Sequence, residues 1–118
     1  MMHSIVKIMH KHRDQFNDSF VDWLPDNLHV WDAFVDETHS VIDVGFMHYS
    51  ARTIVHVLRH HSAIRENEGE WKINDHHSPY LARLWALVYP HHANLFEYRK
   101  ANVDTKTIPL QLKRNENA

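Results

Sequence analysis

Asn74, Asp75, His76, His77 and Ser78 form an unbroken polar run directly ahead of Pro79, and Arg83 follows one turn later. Asn and Arg are the side chains best suited to two-point reading of adenine and guanine edges. The free N–H groups of a helix start add a place for phosphate. If residues 79–89 form a helix whose beginning faces a duplex, Asn74, His76, His77, Ser78 and Arg83 become its contacts. Arg52, Arg59, Lys72 and Arg99 would then meet phosphates. A structural alternative uses the same residues: Asn74-Asp75 as a turn, Ser78 as a helix cap, and Arg83 laying its stem over apolar neighbours. Asp75 is unwelcome beside phosphate and favours that alternative.

The histidines offer a second chemistry. His56 and His60 stand four apart, so on a helix both rings face one way, as in helical zinc sites. His61, His76-His77 or His91-His92 would have to supply a third ligand. No His-Glu-x-x-His pattern is present, and 13 histidines in 118 residues make one such spacing a chance event. Catalysis has less support. There is no Gly-x-Ser-x-Gly elbow and no Walker loop, and Ser50 and Ser78 both look like caps. Absence of cysteine removes disulfides, thiolate ligands and thiol nucleophiles, and fits a reducing cytosol. The expectation is a non-catalytic protein with no cofactor and no metal.

Charge is split along the chain. Residues 1–49 carry three Lys/Arg against eight acids, and residues 50–118 carry ten against seven. An anionic partner would therefore meet the second half. Protonating every histidine would move the formal charge from −2 to +11, so proton uptake below neutrality is expected to be large. No apolar stretch reaches 18 residues and the first dozen residues hold no secretory core, so a soluble, intracellular protein without membrane contact is expected.

These residues need elements to position them. Ile5, Met9, Phe16, Phe20 and Trp23 predict one helix over 4–24, capped by Ser4 and closed by Pro25. Asp26 is placed to cap a second helix, whose stripe is Leu28, Trp31, Phe34, Val35, Val41 and Ile42 and whose end is Gly45. Ser50 caps a third, with Ile54, Val57, Leu58 and His61 on one side, fraying near Gly69. Trp71–Ile73 and Phe96–Arg99 alternate as short strands. Ser78-Pro79 starts the last helix, with Tyr80, Leu81, Leu84, Trp85 and Val88 inward and Pro90 at its end. Trp23, Trp31, Trp71 and Trp85 fall on apolar stripes and belong to the core, whereas an exposed aromatic would mark a protein contact. The fold class expected is mainly α with a small two-stranded β element, a winged-helix-like domain of three or four helices over residues 1–100. A mobile tail follows over 101–118, whose Ile108-Pro109-Leu110 could dock on the body.

"HYSARTIVHVLRHHSAI", "GEWKIN", "YLARLWAL" and "LFEYRK", in that order over residues 46–99, resemble a group of small phage- and prophage-encoded bacterial proteins. The group has no settled activity. The resemblance implies a phage context in the bacterial cytoplasm, with either a small regulator acting on DNA or an accessory protein that disables a host defence factor. The leading expectation is a DNA-binding regulator that meets double-stranded DNA through Arg52, Lys72, Asn74, His76, His77 and Arg83. The alternative is an inhibitor that covers a host protein with exposed aromatics and the acidic first half. A histidine-based metal binder ranks third, and a homodimer fits either leading expectation.

Overall fold

The computed structural model describes residues 4–65, 71 and 73–96. The first segment does not form the single helix that its apolar spacing predicts. Helix α1 runs Ser4–Lys11 and α2 runs Asp18–Trp23, with a 3-10 turn over Arg13–Gln15 between them. The cause is local. Asn17 adopts an extended conformation and its side chain accepts the Phe20 N–H at 2.9 Å, a cap that starts a new helix. Arg13 seals the break by bonding the Phe16 carbonyl at 2.6 Å and pairing with Asp18.

Pro25 lies in a further 3-10 turn, Leu24–Asp26, and α3 spans Leu28–Val44. Asp26 is not its cap: Asn27 holds that position and turns its amide to the Trp23 carbonyl at 2.7 Å. At the other end the expectation holds. Gly45 sits at φ 112°, its N–H bonds Ile42 O at 2.9 Å, and the Phe46 N–H reaches Val41 O at 3.3 Å. That pairing satisfies carbonyls a helix end would otherwise leave orphaned.

Helix α4, Ala51–Arg65, is capped as expected by Ser50, whose hydroxyl accepts the Thr53 N–H at 3.3 Å. Its buried face is Ile54, Val55, Leu58 and Ser62; His61 is exposed and Val57 only partly covered, so the inward stripe is rotated from the predicted one. A 3-10 turn over Asp75–His77 runs directly into α5, Ser78–Val88. Asn74 caps this joint by accepting the His76 N–H at 2.9 Å. Ser78 is therefore inside the helical segment rather than its cap, while Pro79 occupies the first turn as predicted. Tyr80, Leu81, Ala82, Leu84 and Trp85 are all buried, because α5 is central and packs on α1, α3 and α4. Trp31 joins that core and Trp23 and Trp71 pack against it.

The winged-helix expectation and its two-stranded β element are overturned. Among the described residues no strand forms; a lone parallel bridge joins Tyr49 to Phe96, with the Tyr49 N–H on Leu95 O at 2.8 Å. Around Trp71 and Ile73 the backbone groups bond elsewhere. The Ile73 N–H turns back to Trp71 O at 3.0 Å, Ser62 accepts the Trp71 N–H at 2.8 Å, and Arg59 takes the Ile73 carbonyl. Side chains of α4 thus take the place of a neighbouring strand. Of the second predicted strand only Phe96 is described, and the predicted tail from Ala101 lies outside the described residues. No described helix is long and apolar enough to cross a membrane.

Candidate functional site at the start of the last helix

Helical spacing puts Arg52, His56 and Arg59 on one side of α4, and the joint ahead of α5 carries Asp75 across to them. Arg59 Nη2 donates to Asp75 Oδ1 at 2.8 Å, His56 Nε2 lies 3.1 Å from the same oxygen, and Arg52 Nη2 reaches Oδ2 at 3.4 Å. The hydrogen bond from Arg59 holds the Asp75 carboxyl below its ordinary range; partial desolvation opposes this, and the bond from His56 adds to it. Arg52 and Arg59, expected to meet phosphates, and His56, a candidate metal ligand, are thus turned on the protein's own carboxylate. Arg52 is the least committed, with its side chain 67% exposed.

Two of the predicted nucleic-acid contacts are enclosed. Arg83 is only 2% exposed. It donates to the Gln15 carbonyl at 3.1 Å, and its guanidinium carbon lies 5.7 Å from the Tyr80 ring centre. Gln15 ends a 3-10 turn, where a carbonyl lacks a helical partner, so Arg83 serves as an internal strut between α5 and the α1–α2 link. His77 is buried, with its ring centre 4.4 Å from Trp23 and 5.9 Å, edge-on, from Phe20. Burial pushes its pKa down, with the neighbouring His76 a lesser cause, so it sits in the core as a neutral ring. His77 Nδ1 and Ser78 Oγ are buried with no hydrogen-bond partner among the described residues.

Asn74 and His76 remain exposed, although the Asn74 oxygen is spent as a cap. Lys72 and Arg99 lie outside the described residues. Arg52 therefore shares a site with Asn74 and His76, whereas Arg83 and His77 face the interior. The polar run that interrupts the chain before Pro79 is a capped and latched joint. For the histidines, no group of three potential metal ligands converges among the described residues.

Two other features carry no motif that the sequence would single out. Asp32, Asp36 and Asp43 are exposed and fall within one narrow stripe of α3, since eleven residues return almost to the same side of a helix. Asp22 and Asp26 precede them, also exposed, and none of the five is in an ion pair among the described residues. The other feature is the corner that joins α3 to α4, where Val44 is 77%, Phe46 51% and Met47 80% exposed. A signal for the corner was available: Phe46 and Met47 follow a helix-ending glycine and belong to no apolar stripe. Compared with known proteins, the chain matches no family model, no curated protein and no solved structure.

Proposed function

We propose that this chain is a non-catalytic protein-binding module that covers a basic surface on a partner with the carboxylate stripe of α3. The phage context implied by the motifs in residues 46–99 makes that partner a host protein. One observation carries the proposal: the cations around the start of α5 are engaged by the fold, whereas a run of exposed carboxylates through α2 and α3 is not. Arg59 and His56 hold Asp75 and Arg83 is enclosed, while Asp22, Asp26, Asp32, Asp36 and Asp43 face solvent unpaired among the described residues. Unneutralised carboxylates, three of them on one stripe of α3, repel nucleic acid and attract a basic protein surface, steering encounter and fixing orientation.

Duplex binding retains one support. Helix α4 contains no acid from Ala51 to Arg65, and Arg52 at its start is exposed. Contact through this face would have to compete with Asp75 for the same guanidinium groups.

Affinity capture from bacterial lysate separates the two. The protein-binding proposal predicts one stoichiometric partner, released by salt and lost when Asp32→Lys and Asp36→Lys are combined. Capture indifferent to that double substitution would contradict it. So would a duplex complex that weakens steeply with salt and with Arg52→Ala.

A further inference from the structure

The α3–α4 corner is assembled from misfits. Val44, Phe46 and Met47 are the large hydrophobics that the described residues leave exposed, and Phe46 leans edge-on against Tyr49 at 5.2 Å. The charges on either side of this apolar tip stand at the wrong helix ends. Asp43 lies in the last turn of α3, at the negative end of the helix dipole, and no basic residue shares the turn. Arg52 lies in the first turn of α4, where free N–H groups are positive and no acid shares the turn. Asp75 meets Arg52 only at 3.4 Å and leaves most of its side chain in solvent. Along the chain, one end of the corner thus lacks a cation, the other has its cation met only loosely by Asp75, and an apolar tip lies between them.

A surface that carries both halves of a charge pattern around an apolar centre is complementary to itself under a two-fold rotation. We propose that the α3–α4 corner joins two copies of this chain, with Val44, Phe46 and Met47 packed across the axis and Asp43 of each copy against Arg52 of the other. Each helix end then gains a charge of the sign that its own terminal turn lacks. Asp36 and Asp32 stand about 12 and 18 Å along α3 from Val44, at a rise of 1.5 Å per residue, so the contact leaves them free for a different partner. The contact uses only the Asp43 end of the α3 stripe, and its test is read with no other partner present.

Sedimentation velocity on the full chain, from about 1 µM to about 500 µM, is the test. The expected result is a monomer that passes to a dimer as concentration rises. Met47→Asp, at a position in solvent, raises the dissociation constant more than about tenfold with an unchanged melting temperature. Asp43→Arg and Arg52→Glu each abolish the dimer when alone, because each places like charges opposite one another twice. Mixing these two variants in equal amounts restores a dimer, since both cross-axis pairs become opposite again. A monomer at every concentration overturns the proposal, whether the corner is bare or covered by residues 97–118. A dimer indifferent to Met47→Asp, or variants that stay monomeric when mixed, overturns it equally.

Discussion

Two junctions flank α4, and they treat polar and apolar groups in opposite ways. At the start of α5, charge meets charge: Asp75 collects Arg59, His56 and Arg52, and Asn74 caps the backbone. At the α3–α4 corner the backbone is well terminated by Gly45 and Ser50, yet the side chains are mismatched, with hydrophobics in water and charges opposing the helix ends. The α5 junction has the residue types of a functional site and serves the fold. The corner has the residue types of an ordinary turn, yet its hydrophobics and charges fail to find local partners. In a chain whose local choices otherwise agree with its fold, such a failure points to a function.

The largest loss of stability is expected at Arg83. Arg83→Ala removes a charged hydrogen bond and leaves the Gln15 carbonyl unsatisfied, so unfolding free energy in urea should fall by about 3 kcal/mol. A variant of native stability that had lost partner binding would make Arg83 a contact rather than a strut. Next comes Gly45→Ala. A Cβ there meets nothing within 4 Å, so the cost is backbone strain at φ 112°, about 1–2 kcal/mol. Loss of that amount with self-association also weakened would show that the corner's shape matters.

Acid should loosen the α5 junction in two stages. His77 has a folded pKa lowered below the ordinary 6.5, so the folded state favours the neutral ring while the unfolded chain takes up a proton. Its contribution is intact above 6.5 and is lost as pH falls from there toward the lowered folded value. Asp75, also lowered, adds a loss that begins only around its ordinary 3.8 and grows as pH falls further. Urea midpoints on either side of pH 6.5 should drop less in His77→Phe than in the parent chain. Equal drops would mean that other histidines carry the effect. The smallest change in stability is expected for Met47→Asp, within about 0.5 kcal/mol by thermal melting, despite its predicted effect on association. A large loss there would mean that Met47 packs against the fold.

Much of the architecture was legible where a signal is short-range. Gly45 and Ser50 ended and began helices as their types suggest, and Pro25 and Pro79 fell in turns and first turns. The apolar spacing over 4–24 was real, since Ile5, Met9, Phe16 and Phe20 are all buried, but it hid a break set by a single capping residue, Asn17. Alternation over Trp71–Ile73 failed as a strand signal because α4 side chains, not a second strand, bond the backbone there. The interior place of Arg83 was not legible, because its carbonyl partner stands 68 residues away along the chain. The latch on Asp75 was half legible: the sequence marked that acid as hostile to phosphate, but its three partners come from a helix about 20 residues earlier.

At the polar start of α5, Asp75 is closed onto α4 and already holds the guanidinium groups that a duplex would need. Titrating the isotope-labelled chain with a short duplex at low salt, followed by amide NMR, tests that closure directly. Resonances of residues 52–59 and 74–78 should stay in place. Saturable, salt-sensitive shifts in both segments would show that DNA displaces Asp75, and would contradict it.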